Sequence, residues 1–445
     1  SMYTIMRDCI ANSFRSKELD PKSKHCQIIT YPDHKLTKDM INSHALEVVE
    51  RLEIGGFQAF IVGGSIRDLL LNRVPKDFDV ATNANPKQIK SLFERARIIG
   101  RRFQIVHVKL QKQIIEVTTF RSNNNDLLNE QRRRTKNGML TRDNVFGSLT
   151  DDSIRRDLSI NALYFNPRDN TITDFTHGFS DIQNRIIRVI GDPIIRFRED
   201  PLRLLRVVRF AAKLNFSIDS RTSEPMKHHA QDLRQISPPR LFDESLKLFM
   251  SGYGFKTFEL LKEFDLVRYM LPQLHDHIES DNLHLRLVRQ ALMNTDYRLE
   301  NKQRVTPAFI YAALLWPAVQ ANAKRFRRRG KSARQSLEEA ANKVIASQIT
   351  ITAIPRRFTL SMRQIWNLQI HLETNIGKRA RRLIDNPRFR AAYDFVLLRE
   401  QAGENLNGLG DWWTKYQESD EGTQIKMIAT RKRHNPAKHS NDRSK

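Results

Sequence analysis

Apolar residues recur at helical spacing over residues 44–52, where Leu46, Val49 and Leu52 share a face, and Gly55-Gly56 close the segment. Beyond that pair the period changes. Residues 58–62 read as a strand, Gly63-Gly64 turns the chain, and a short helix is predicted over 66–71. After Pro75, residues 77–82 read as a second strand. Asn85-Pro86 is a helix start, with Ile89, Leu92, Phe93 and Ala96 as its apolar stripe. Two further strands are predicted at 105–110 and 114–120. Together these segments predict an α+β fold whose head is a mixed sheet with helices. From Asp192 the pattern is helical almost to the end, which predicts all-α neck and body domains.

The expected organisation is an N-terminal extension at 1–40, a head at 41–190, a helical neck at 191–275 and a helical body at 276–428, followed by a basic, disordered tail at 429–445. Residues 122–136 are polar, lack an apolar period and end in Arg132, Arg133 and Arg134, which predicts a mobile basic loop. Further basic clusters include Lys324, Arg325, Arg327, Arg328, Arg329 and Lys331, and then Lys378, Arg379, Arg381 and Arg382. No tandem repeat is present.

Charge adds a class of partner. The 445 residues carry 75 Lys and Arg against 50 Asp and Glu, a formal net charge of +25. A surplus of that size favours polyanions, nucleic acid first. Hydrophobic residues make up 40 % of the chain, enough for several buried cores. No apolar run reaches the roughly 20 residues of a bilayer span, and no basic start followed by an apolar core opens the chain. Cys9 and Cys26 are the only cysteines, too few for a disulfide scaffold or a cysteine-rich zinc site. The expectation is a cytoplasmic protein with no transmembrane segment.

Candidate chemistry begins at Asp77 and Asp79. One residue apart on a strand, both carboxylates point to the same face. Two like charges held that close need compensation, which a hard divalent cation such as Mg²⁺ supplies. Gly63 and Gly64 let backbone amides approach a phosphate closely, although an ordinary tight turn uses glycines in the same way. The segment is not a Walker loop, because the spaced Gly-Lys-Ser/Thr ending is missing.

VGGSIRDLLLNRVPKDFDVAT (62–82), IIEVTTFR (114–121), RRDLSINALYF (155–165) and REDPLRLLRVVRFAAKL (198–214) stand in one order along the chain. That set resembles the tRNA nucleotidyltransferase/poly(A) polymerase family of the DNA polymerase β superfamily. The resemblance implies a metal-binding pair at Asp77 and Asp79, which promotes attack of an RNA 3′ hydroxyl on a nucleotide α-phosphate. Asp157 matches a third acidic catalytic residue, and Glu116, on a neighbouring strand, competes for that role with the alternative of a cross-strand ion pair. Gly63, Gly64 and Arg67 match the phosphate-binding turn. Arg121 and Arg156 face either the triphosphate or surface ion pairs. Glu199, Asp200 and Arg203 match the element that reads the incoming base. Arg203, Arg206, Arg209 and Lys213 form a helical stripe facing nucleotide, RNA or an interdomain salt-bridge surface.

Within the family, IIGRRFQIVHV (98–108) resembles the paired-Arg segment of the poly(A) polymerase branch, centred on Arg101 and Arg102. IWNLQ (365–369), PRFRAAYDF (387–395) and Trp412-Trp413 are similar to the same branch. The implied activity is template-independent addition of AMP from ATP to RNA 3′ ends with Mg²⁺ as cofactor, in RNA polyadenylation and decay. Its substrates would be mRNA, small RNAs and tRNA precursors. The alternatives are a CCA-adding tRNA nucleotidyltransferase and a catalytically silent RNA-binding protein on the same fold. RNA would track Arg101, Arg102, Arg327, Arg328, Arg329, Arg431, Lys432 and Arg433. Trp316, Trp366, Trp412 and Trp413 are read as helical core, and His107 as structural.

Overall fold

Eight strands, β1 Gln27–Ile29, β2 Ala59–Val62, β3 Asp79–Thr82, β4 Ala96–Ile99, β5 Ile105–Leu110, β6 Gln113–Thr119, β7 Leu163–Asn166 and β8 Thr171–Asp174, make one sheet. Their order is β1-β8-β7-β2-β3-β6-β5-β4. The structure, a computed structural model, describes residues 26–100, 103–122, 146–279, 282–374 and 379–434, with backbone alone at 282 and 432–434. Neighbouring strands run antiparallel except β3 and β6, which are parallel. β2 is buried at all four positions, as a short apolar run is when strands flank it on both sides. Phe60, Val62, Ala81, Phe120, Leu149, Tyr164 and Phe175 form a core cluster on this sheet.

The helix Ser43–Ile54 starts where the Asn42 side chain accepts from the His44 and Ala45 amides. It buries Ala45, Val48, Val49 and Leu52, a stripe rotated slightly from the expected one. The next helix, Pro86–Leu92, is fixed by a reciprocal capping box between Asn85 and Gln88. It stops at Leu92, and Ala96, expected on its apolar stripe, opens β4 instead. Short apolar runs satisfy either period, and here pairing with β5 decides.

Other expectations also need correction. β1 lies within the expected N-terminal extension, yet Gln27–Ile29 pairs with β8 and closes one side of the sheet. β3 begins at Asp79, so Asp77 precedes the strand rather than lying within it. The tail expected to be disordered from 429 opens as part of a helix, Glu421–His434. The loop expected at 122–136 falls outside the described residues from 123 onward, as do Arg101, Arg102, Lys378 and everything after His434.

The chain divides into two compact units, Ser1–Glu199 with Asn215–Pro225, and Asp200–Leu214 with Met226–Lys445. The helix Pro193–Glu199 belongs to the first unit. Its Arg196, 6 % exposed, donates Nη2 to the carbonyls of Arg155 (2.6 Å) and Arg156 (2.8 Å). The second unit is helical, and its long helices include Pro307–Arg328, Ala333–Gln348, Arg356–Thr374 and Phe389–Gln401. Trp366 and Trp413 are fully buried there and donate Nε1 to the carbonyls of Ala312 and Leu372, each at 3.1 Å. Among the described residues no helix is long and apolar enough to cross a membrane.

Candidate active site

Strand pairing brings the predicted residues together. β2 ends at Val62, level with Asp79 at the start of β3. Gly63 follows with φ 77° and ψ −138°, a left-handed conformation that glycine adopts without penalty, and it caps the helix Gly64–Leu70. A Cβ on Gly63 would lie 3.8 Å from Arg156 Nη1, so this guanidinium stands over the turn.

On the other side of β3, parallel pairing sets Glu116 level with Asp79. Side chains at paired positions share a face, so the two carboxylates are neighbours. Asp79 is half-buried and Asp77 exposed. Loss of solvation pushes the Asp79 carboxyl up to about 6; the charges of Glu116 and Asp77 push the same way, and Arg156 opposes them. Across the sheet, His107 Nε2 lies 3.9 Å from Glu116, so the residue facing Glu116 is a histidine where a lysine or arginine was expected.

The donor set fits a hard cation. Among the described residues no group of three or more His, Cys, Asp and Glu forms a ready-made metal cage. Mg²⁺ does not require one, since it is commonly held by one or two carboxylates with substrate phosphates completing its shell. The raised Asp79 carboxyl beside two further acids is the mark of negative charge that a cation would relieve.

The sequence reading missed the residue that organises the cationic side. Asp152, on the helix Leu149–Arg155, is fully buried. Its Oδ1 accepts from the Arg121 amide (3.1 Å) and from Arg155 Nε (3.0 Å) and Nη2 (2.6 Å). Its Oδ2 accepts from Arg156 Nε (3.2 Å) and Nη2 (3.1 Å) and from the Tyr164 hydroxyl (2.6 Å). Burial alone would raise its pKa, but Arg156, Arg155 and the Tyr164 hydrogen bond overcome that and hold it below the ordinary carboxylate value. Tyr164 sits on β7, level with Val62, so the same sheet that carries Asp79 carries this hub. Arg121 donates Nη2 to the Gln104 carbonyl (2.9 Å) and lies over the Phe103 ring. Burial and its arginine neighbours pull its pKa down.

Arg67 follows the glycine turn on the helix Gly64–Leu70, and its guanidinium is engaged by protein groups. It is 3 % exposed, and its guanidinium donates Nη1 to Asn161 Oδ1 (2.6 Å) and both Nε and Nη2 to Asp68 Oδ1. It braces the underside of the glycine turn. Asp157 is half-buried, accepts its neighbour Leu158's amide on Oδ1 (2.7 Å), and receives Ile190 N–H on its carbonyl. Glu199 accepts from Arg196 Nη1 at 3.0 Å.

Asp200, Arg203 and Arg206 belong to the second unit. Asp200 receives Arg240 Nη1 (3.0 Å) and Nη2 (2.6 Å) and the Leu202 amide at the start of the helix Leu202–Leu214. Arg203, Arg206, Arg209 and Lys213 form the predicted stripe, all half-buried, and Arg209 approaches Glu244 at 3.6 Å. Arg327, Arg328 and Arg329 are exposed at the C-terminal end of the helix Pro307–Arg328, where positive charge complements the helix dipole. Arg431, Lys432 and Arg433 lie on the helix Glu421–His434.

Three family models match the chain: the poly A polymerase head domain at 59–188, the probable RNA and SrmB binding site of polymerase A at 215–278, and the polymerase A arginine-rich C-terminus at 329–445. The poly(A) polymerase I of Salmonella typhi is 42 % identical over 411 residues, 91 % of this chain and 88 % of the relative. A CCA-adding enzyme of Streptococcus sanguinis is 32 % identical over 74 % of this chain and 76 % of its own. Among solved structures, the Thermotoga maritima CCA-adding enzyme complexed with tRNA matches at a TM-score of 0.58 and 18 % identity, over 86 % of this chain and 84 % of that one. This last likeness is one of fold.

Proposed function

The chain belongs to the poly(A) polymerase family of nucleotidyltransferases, and on that premise we propose that it is a Mg²⁺-dependent, template-independent polymerase that extends RNA 3′ ends with AMP from ATP. In each cycle the RNA 3′ oxygen forms a bond to the α-phosphorus, the bond from that phosphorus to the bridging oxygen breaks, and pyrophosphate leaves. Mg²⁺ held by Asp77 and Asp79 would supply Lewis acidity at the reacting oxygens. The observation that carries the reading is the convergence of Asp79, Glu116, Gly63 and Arg156 at one end of β2 and β3.

Each residue takes a role from its place. Glu116 is taken as the third carboxylate in preference to Asp157; its register beside Asp79, on whose carboxyl its charge acts, supports that choice. Arg156 Nη1, over the glycine turn, meets the triphosphate, while Asp152 holds the other two nitrogens of that guanidinium. Arg67 positions the turn without touching phosphate. Asp200 and Arg203 read the adenine edge, one accepting hydrogen bonds and one donating. RNA 3′ ends of mRNA, small RNAs and tRNA precursors in the cytoplasm complete the proposal.

Primer extension tests it. ATP and CTP are offered separately, with Mg²⁺, to a generic single-stranded RNA and to a tRNA lacking its end. Long ATP-dependent tails on the generic RNA are expected, and none with Asp79→Ala. One or two C additions and a single A, on tRNA alone, would overturn the choice of polymerase. RNA binding with no incorporation would leave a silent binder.

A further inference from the structure

Far along the chain from the catalytic motifs, the helices Leu409–Glu418 and Glu421–His434 enclose an open cleft of about 670 Å³. Thr423, Lys426, Met427, Thr430 and Arg431 form one wall. Their spacing (i, i+3, i+4, i+7, i+8) is that of a single helix face, the pattern that normally seals an apolar seam. Here Met427 packs on the core of the helical unit, and the remaining positions are two hydroxyls and two cations. Asn407 and Trp412 complete the lining, which contains no acid among the described residues.

Trp412 packs on the helical core as expected, yet it is half-buried, unlike Trp316, Trp366 and Trp413. Tyr416 stacks on it with centroids 4.8 Å apart and planes 13° from parallel, and the Arg431 guanidinium lies over the same ring at 5.5 Å. Arg431 is partly desolvated, which disfavours its charge, and Glu400 acts the other way. An aromatic–guanidinium pile, two cations, hydroxyls and an amide in a space of nucleotide size are the groups that hold a stacked base and its phosphate.

We propose that this cleft is a nucleotide-binding subsite for single-stranded RNA, with a base stacked at the Trp412–Arg431 end of the pile, which the buried Tyr416 backs, and its phosphate held by Lys426 and Arg431. Asn407 offers its amide to the base edge. The inference rests on the proposed function, since RNA is the polymer that such an enzyme extends. It adds a place where the strand is held away from the reacting end.

The test uses the full chain without ATP, so that binding is read apart from catalysis. Trp412 is the half-buried indole of the four, so oligo(A) should quench tryptophan fluorescence in the parent protein, and Trp412→Phe should remove most of the quenching. Arg431→Gln, which alters a partly exposed side chain, should weaken oligo(A) binding by about fivefold or more, the scale of one stacked base. Melting curves check that both variants are folded. Parent-like affinity in Arg431→Gln, or undiminished quenching in Trp412→Phe, would overturn the subsite. Equal quenching by heparin would also overturn it, since a plain polyanion groove needs no base. The parent preparation is assayed for ATP incorporation alongside: tails with unaltered variants refute the subsite alone, and quenching without tails refutes the polymerase alone.

Discussion

Asp79 carries a cost that a neutral amide would not. Its carboxyl is pushed from 3.8 up to about 6, by lost solvation first and by Glu116 next. A folded-state pKa above the unfolded one means that the fold prefers the protonated acid. Stability is therefore intact below about pH 4, falls as the pH rises from 4 to 6, and stays reduced above. The difference of about two pKa units corresponds to about 3 kcal/mol at pH 8. Asp79→Asn keeps the shape and removes the charge. In metal-free buffer at pH 8 it should melt roughly 6–12 °C higher than the parent, on the scaling for a unit of this size. At pH 4 the two should coincide. Added Mg²⁺ should raise the melting temperature of the parent and leave the variant where it was, and the variant should incorporate no nucleotide. The assay is a set of thermal melts between pH 4 and 8, with EDTA and with Mg²⁺. A variant no more stable than the parent at pH 8, or a gain that does not change with pH, would refute the reasoning.

Asp152→Asn should destabilise the head by about 3–5 kcal/mol, because it strands buried cationic groups. Tyr164→Phe removes the 2.6 Å hydrogen bond to Asp152 and the 2.9 Å one from Arg156 Nε, so it should fold and still raise the KM for ATP; an unchanged KM in steady-state titrations would make the hub purely structural. Gly63→Ala has room for the methyl but not the backbone preference, and should cost about 1–2 kcal/mol and slow ATP incorporation while RNA binding, followed by anisotropy, persists. Arg240→Ala releases Asp200 from its two-pronged ion pair and should reduce ATP selection over CTP, measured as the ratio of incorporation rates. Equal changes for both nucleotides would count against a base-reading Asp200.

What could be read from the chain is what short-range pattern encodes. β2, β5 and β6 emerged from local apolar runs, and the turn at Gly63 from the residue type that a positive φ demands. β1 has three residues, too few to show any period, and only β8 makes it a strand. β7 overlaps the motif at 155–165 and β8 falls between two motifs, and neither stretch was read for strand period. The helix Glu421–His434 reads as a charged tail, yet Met427 and Ile428 pack on the core of the helical unit and supply the burial that fixes it. The resemblance alone put Arg67 at the phosphate-binding turn, and its burial is unusual for an arginine. Its partner Asn161, almost a hundred positions away in the chain, is what allows its burial. Asp152 lies in the first turn of a helix capped by Ser148 and in none of the motifs that carry the resemblance. Its spacing to Arg155 and Arg156, i+3 and i+4, was the available signal.

Asp152 also explains how opposite charges coexist in so small a site. Arg156 acts electrostatically on Asp79, and an unrestrained guanidinium beside two carboxylates would close on them as an ion pair. Asp152 and Tyr164 take Arg156 Nε, and Asp152 takes Nη2 as well, so the Nη1 edge is the one presented to the glycine turn. In the proposed reaction, Asp79 and Glu116 would then keep their negative charge for a cation, while Arg156 would keep its positive charge for phosphate. Lost solvation first, then Glu116 and Asp77, raise the Asp79 pKa, and Arg156 relieves it only in part. A site that is uncomfortable without its ligands in this way gains most when metal and triphosphate arrive together, since each neutralises charge that the fold has kept apart.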